Sequence, residues 1–264
     1  MRRAHIGSYR HLFREPLIML SRLKQNVYRL IPSQYRFYAV DLKNRVFGDF
    51  ARKYYSQFGE DIIVDTLLKT VCTGFYVDVG AHHPRRYSNT YLLYKRGWRG
   101  INIDPDPESV AFFKRDRPGD THVQCGVSDR VGEQPFYIFS DPAVNTFSER
   151  QACEWMKKSW VSLVKKEMVP VRSLKQLLTE HVPAGTMFNL LNVDTEGFDL
   201  TVLKSNDWKR FRPQIIIVES HGFNVSRPND DPVYAFLTGQ SYRLYSRTGP
   251  SLIFTAAEPA TRLA

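Results

Sequence analysis

Two acidic residues each close an apolar run of strand composition: Asp78 in FYVDVGAHHP and Asp104 in GINIDPDP. Twenty-six residues separate them, room for one helix, which is the spacing of a nucleotide-cofactor crevice in a doubly wound sheet. In such a crevice the first loop passes the cofactor, and an acid ending the second strand accepts from the ribose hydroxyls. Asp104 is placed for that bidentate role, and Asp78 for the cofactor's amino-acid end. Gly80 leaves space where a side chain would obstruct close backbone approach. A dinucleotide loop would carry a second glycine at position 82, but His82, His83 and Pro84 stand there. A cofactor without a pyrophosphate is therefore expected, and S-adenosylmethionine fits.

A second constellation follows later in the chain, with Asp194 and Glu196 in NVDTEGFD and Glu219 and His221 in VESHG. On a strand Glu219 and His221 point to the same side, and adjacent strand ends bring them near Asp194. Either Asp194, Glu219 and His221 bind a divalent cation, or His221 or Asp194 is a general base with Glu219 orienting it. Glu196 and Asp199 can also serve the N-terminus of a helix beginning near Phe198. His82 and His83 are adjacent, so in an extended loop their rings diverge instead of forming a metal pair. One is expected to shape the cofactor loop and the other to be exposed or to contact substrate.

These residues need strand ends, and the pattern supplies them. The segment YYSQFGEDIIVDTLLKTV reads as a helix, with strands at Phe75 to Val79 and Arg99 to Ile103 and a helix in SNTYLLYKRG between them. A third helix runs from about Pro107 to Arg115, started by Asp106, and THVQCGVSD supplies a third strand and its loop. Val127, Ser128 and Asp129 are then expected at the adenine edge, although Asp129 also suits a turn before Gly132. Gln57 and Glu60 can reach the cofactor from the first helix or cap it. EQPFYIFSDPAVNTFS reads as a short inserted hairpin, and QACEWMKKSW and SLVKKEM as helix or cap. Ser173 starts a helix, and Phe188 to Val193 and QIIIVES read as strands buried on both faces. A helix near Val233 to Leu237 precedes two strands around Thr248-Gly249-Pro250, a hairpin that forces one antiparallel strand. The expected fold is α/β: a Rossmann-like seven-stranded sheet of the class I methyltransferase type, helices on both faces, ending in an antiparallel hairpin.

The 264-residue chain carries a formal charge of +10, and position decides what that means. Residues 1–53 hold twelve lysines and arginines against Glu15, Asp41 and Asp49, leaving the rest near neutral. Three regions are expected: a basic, partly helical arm over 1–53, the catalytic domain over 54–257 and a tail over 258–264. Leu17, Leu20, Leu23, Val27, Leu30 and Ile31 recur at helical spacing among Arg22, Lys24 and Arg29. Such a helix lies on an anionic membrane surface or packs on its own domain. No apolar run is long enough to span a bilayer. Cys72, Cys125 and Cys153 show no paired spacing, which fits a reducing cytoplasmic setting, on the inner membrane surface if the arm docks there.

YSQFGED, FYVDVGAHHP, SNTYLLYKRGWRGINIDPDP, CGVSD, LLNVDTEGFD and IIIVES together resemble FkbM-type S-adenosylmethionine-dependent methyltransferases over residues 54–256. The resemblance implies O-methylation of hydroxyls on sugars, glycans or secondary-metabolite scaffolds. It also implies that Asp78 and Gly80 line the cofactor site. Three other readings compete. A nicotinamide-dependent dehydrogenase is disfavoured by the missing second glycine. An RNA or other nucleic-acid methyltransferase would use the basic arm on phosphates, but the fourth strand ends in Asp194-Thr195-Glu196-Gly197 and not in an Asn/Asp-Pro-Pro-aromatic tetrad. A non-catalytic membrane-associated adaptor would keep the fold without binding the cofactor. The expected acceptor is a small molecule or glycan.

Overall fold

A computed structural model describes residues 30–47 and 52–257 of the chain, which divides into two units, residues 1–53 and 54–264. In the first unit, helix α1 (Ser33–Phe47) is the described element, and Tyr35, Tyr38, Leu42 and Val46 are exposed on it. The amphipathic helix expected from Leu17 to Ile31 lies almost wholly outside the described residues.

In the second unit the apolar runs form a seven-stranded sheet. Its strands are β1 (Phe75–Val79), β2 (Arg99–Asp104), β3 (Thr121–Gln124), β7 (Phe188–Val193), β8 (Ile215–Glu219), β9 (Tyr242–Thr248) and β10 (Ser251–Ala256). The order is β3-β2-β1-β7-β8-β10-β9, with β10 antiparallel to both neighbours and the remaining pairs parallel. Every residue of β7 and β8 is buried, as the unbroken apolar runs require. Each fully buried Ile, Leu or Val there contributes about 1.5–3 kcal/mol of transfer free energy.

Helices cover both faces. On one lie α2 (Glu60–Leu67) and α3 (Tyr91–Lys95), whose Val64 and Leu93 pack with Tyr76, Trp98, Leu190 and Ile217. On the other, α6 (Leu174–His181), α7 (Asp199–Lys204) and α8 (Pro232–Gly239) set Leu177, Val202 and Leu237 against Val77, Val193 and Ile216. Local chemistry fixes the helix starts. Asp106 accepts from the Glu108 N–H ahead of α4 (Pro107–Asp116), and Ser173 and Gln176 make a reciprocal capping box on α6. No described helix is long and apolar enough to cross a membrane.

The expected inserted hairpin takes a different form. Gly126–Val127 (β4) leaves the large sheet and joins a second, three-stranded sheet with β5 (Gly132–Phe139) and β6 (Leu163–Arg172), in the order β4-β6-β5. The segment read as helix or cap around Leu163 to Met168 is thus a strand, antiparallel to β5. Only one bridge, Tyr137 to Thr146, closes the local turn expected within 133–148. Helix α5 (Glu149–Met156), capped by Ser148, lies between the two long strands.

Candidate active site

The strand order reverses between the parallel neighbours β1 and β7, and beyond their carboxyl ends opens a cavity of about 520 Å³. Gln57, Asp78, Gly80, Asp104, Val127, Asp194, Glu219 and His221 all line it. Ser128 and Asp129 do not. Where β4 turns into the second sheet, Ser128 Oγ accepts from Gln134 Nε2 at 2.9 Å, and exposed Asp129 borders a separate shallow depression. Glu60 is also engaged elsewhere, accepting from the Phe58 N–H at 2.8 Å and from Ser251 Oγ at 3.0 Å.

At the β1 end, backbone meets backbone. Gly80 has φ 74°, and a β-carbon built there would lie 1.7 Å from the Asp194 carbonyl oxygen, so only glycine fits between the β1 and β7 loops. Asp78 is almost fully buried. Its two oxygens accept from Thr90 Oγ1 at 2.6 Å and Asn192 Nδ2 at 2.8 Å, and Asn192 Oδ1 accepts from Asn89 Nδ2 at 2.9 Å. Burial raises the Asp78 pKa, opposed by those hydrogen bonds. The cavity thus sees Asp78 as part of a fixed polar relay.

Asp104 is held from two directions. Oδ2 accepts from the His82 N–H at 2.7 Å and Oδ1 from the Asp106 N–H at 2.9 Å, so one carboxylate ties the β1 loop to the β2 loop. Each oxygen retains a lone pair for a further donor. Burial pushes its pKa up to about 6. The adjacent histidines diverge as their spacing requires. His82 is in the left-handed region (φ 52°) with Nε2 sealed from solvent, whereas His83 Nδ1 accepts from the Arg85 and Arg86 N–H groups at 3.0 Å.

The ends of β7 and β8 form the acidic part of the wall. His221 Nε2 lies 3.2 Å from Glu219 Oε2, and that contact raises the imidazole pKa. Burial and then Glu219 raise Glu196 to about 8, and burial with Glu219 and Glu196 raises Asp194 well above the carboxylate range. Asp199 is different: as the first residue of α7 it accepts from the Thr195 and Gly197 N–H groups at 3.0 and 3.1 Å, so it pins the preceding loop and caps no amide of the helix.

Several contributors were not singled out from the sequence. Arg117 is fully buried, and its guanidinium donates to Pro84 O, Ser88 Oγ and Thr90 Oγ1, fixing the loop behind His82. Trp155 and Trp160, with ring centroids 5.8 Å apart, line the cavity from the inserted segment. A tryptophan pair beside KK and SW carries no periodic signal, because its placement depends on the second sheet. Among the described residues, nine buried side-chain atoms lack a hydrogen-bond partner, and seven belong to residues lining this cavity, including His82, Asn89, Trp155, Glu196 and Glu219. Such a wall suits a polar ligand.

A parallel sheet reversed at β10, with acids at the ends of β1 and β2 on a cavity at the switch point, defines the architecture of class I S-adenosylmethionine-dependent methyltransferases. Residues 78–244 match the methyltransferase FkbM domain, more than half of the chain, and the protein belongs to that family of S-adenosylmethionine-dependent methyltransferases. No curated protein matched the sequence. Similar solved structures include a TehB-like S-adenosylmethionine-dependent methyltransferase from Corynebacterium glutamicum (12% identity, TM-score 0.37, covering 86% of this chain and 100% of that one). Another is a methyltransferase from Geobacter sulfurreducens (13% identity, TM-score 0.39, covering 92% and 97%). A third is a precorrin-6y C5,15-methyltransferase from Geobacter metallireducens (8% identity, TM-score 0.39, covering 74% and 86%).

Proposed function

We propose that the protein transfers the methyl group of S-adenosylmethionine to a hydroxyl of a sugar, glycan or similarly hydroxylated scaffold. The observation that carries this reading is the convergence of Asp194, Glu219 and His221 on the cavity that Asp104 also lines. Asp104 would accept from the ribose hydroxyls, and the Asp78–Asn192–Asn89 relay would face the amino-acid end. Gly80 and Val127 would give the cofactor backbone and apolar contact, with Gln57 at the rim.

The sulfonium brings its own leaving group, so the protein must hold an acceptor oxygen in line and remove its proton. In the proposed step the O–H proton passes to Asp194 and the oxygen forms the new C–O bond. The C–S bond breaks with its electron pair on sulfur, leaving a neutral thioether. Glu219 and His221 orient the acceptor. Trp155 and Trp160 offer broad apolar faces beside this polar group, a pairing suited to a sugar ring. The basic 1–53 segment would favour an acceptor at an anionic membrane surface, such as a lipid-linked glycan.

Incubation with methyl-labelled cofactor and separated glycan, lipid, small-molecule and RNA fractions tests the reading. Label is expected in hydroxylated acceptors, and a lipid-phase product would identify the lipid-linked form. Label confined to RNA would refute the proposal. Asp194→Asn should lower turnover by about 10²–10⁴-fold with cofactor affinity retained, and full activity in that variant would remove Asp194 from the mechanism.

A further inference from the structure

The carboxylates of Glu196 and Glu219 and the imidazole of His221 each bring one ligand atom to a common point, all within 4.8 Å of one another. Glu196 lies in the loop after β7, Glu219 ends β8 and His221 follows it, so the sheet brings together residues that are remote in sequence. A shared ion at bond lengths of about 2.0–2.4 Å holds its ligand atoms within about 4–5 Å of each other, and the observed spacing needs little adjustment.

The polar accounting points the same way. Glu219 is only 9% exposed, and its Oε2 is sealed from solvent without a well-formed hydrogen bond, as is Glu196 Oε2. The His221 ring nitrogen at 3.2 Å could serve Glu219 as an imidazolium, but it leaves the Glu196 oxygen unmet and sets one positive charge against two carboxylates. A divalent cation would meet all three ligands at once. Glu196 reaches the cluster from a left-handed backbone position (φ 51°), whereas Asp194, expected from the sequence as the third ligand, falls outside the group.

We infer that Glu196, Glu219 and His221 form a binding site for one divalent cation at the edge of the active-site cavity. Two carboxylates and an imidazole suit manganese or zinc better than calcium or magnesium. All three residues line the cavity, so further coordination positions face the space where the acceptor would sit. If the methyl-transfer reading holds, on which this role rests, the ion binds the acceptor hydroxyl and makes its proton easier to remove, leaving Asp194 to take that proton.

The test needs neither acceptor nor turnover. The full-length protein, stripped with chelator and dialysed, is titrated calorimetrically with MnCl₂ alone and with ZnCl₂ alone, and bound manganese is followed by loss of the free-ion electron paramagnetic resonance signal. One ion per chain is expected. Glu196→Gln, Glu219→Gln and His221→Ala should each weaken binding by at least about tenfold, while Asp194→Asn stays within about threefold of the parent. Binding of S-adenosylhomocysteine confirms that each variant is folded. If the buried Glu219→Gln variant misfolds, the less buried Glu196 variant decides. Absence of saturable binding by either metal up to about 1 mM, or undiminished affinity in Glu196→Gln, would overturn the site. Because metal affinity is read directly, a metal-binding protein that methylates nothing would refute the function and leave the site standing.

Discussion

Asp104 shows how one side chain can be both scaffold and contact. Its oxygens take one backbone N–H each from His82 and Asp106, which fixes two loops and leaves two lone pairs toward the cavity. With the pKa near 6, the ribose hydroxyls proposed to bind Asp104 would find an acceptor-only carboxylate above that pH and a protonated one below it. Cofactor affinity should therefore fall by up to about tenfold per pH unit below 6, and Asp104→Asn should bind weakly with a flat pH response. Calorimetry with S-adenosylhomocysteine between about pH 5 and pH 7.5 measures this, and an unchanged slope in the variant would exclude Asp104 as the titrating contact. The position of Asp104 was legible because an acid ending an apolar run has few other reasons to be there. Asp78 looked equivalent in sequence but is saturated by Thr90 and by Asn192, the latter 114 residues away. No local pattern announces such a partner. The sequence places Glu196 in the acidic constellation but leaves it between two roles for a related reason: a helix-start acid and a cavity acid share one motif, and only the fold places it on the cavity wall.

At the scale of elements, the large sheet was readable and the small one was not. Buried parallel strands appear as continuous apolar runs whatever their neighbours, so β1, β2, β7 and β8 stood out. β6 instead reads LVKKEMVPVR, with most side chains exposed, and its identity depends on pairing with β5 some thirty residues earlier. The Trp155 and Trp160 wall was lost with it. Arg117 marks a second long-range dependence, because the residue closing α4 reaches back to the loop before α3. Its Nε donates to Pro84 O at 2.9 Å, Nη1 to Thr90 Oγ1 at 2.8 Å and Nη2 to Ser88 Oγ at 2.7 Å, with the rings of Tyr91, Tyr94 and Phe113 around it. Arg117→Met would leave these acceptors buried and unmet, at a cost of about 2–5 kcal/mol in urea unfolding. Arg117→Lys should recover little, since a single ammonium cannot reproduce the planar fork. Because Thr90 also donates to Asp78, both variants should lose cofactor affinity as well as stability. Loss of neither would show that the loop is fixed by other contacts.

Across the whole molecule, protonation of the acidic wall ties stability to what the cavity binds. Burial and mutual repulsion hold Asp199 near 7 and Glu196 near 8, whereas unfolded carboxyls ionise near about 4. Between about pH 6.5 and 8.5 the folded chain without metal thus retains protons that the unfolded chain has released, and its stability must fall as pH rises. His221, raised by its contact with Glu219, acts in the same direction, because its imidazole stays charged in the fold above the pH at which an unfolded histidine turns neutral. His82, His83 and His122 are lowered by burial, so they oppose this trend only below about 6.5, where unfolded histidines charge first. The chelator-treated, cofactor-free protein should accordingly lose Tm across that interval, measured in buffers of matched ionic strength. A bound divalent cation supplies the positive charge that protons otherwise provide, so saturating MnCl₂ should raise Tm most at the alkaline end and flatten the profile. A Tm that rises with pH in the metal-free protein would mean that the wall carboxyls are ionised without a cation, which would contradict the crowding seen at the ends of β7 and β8.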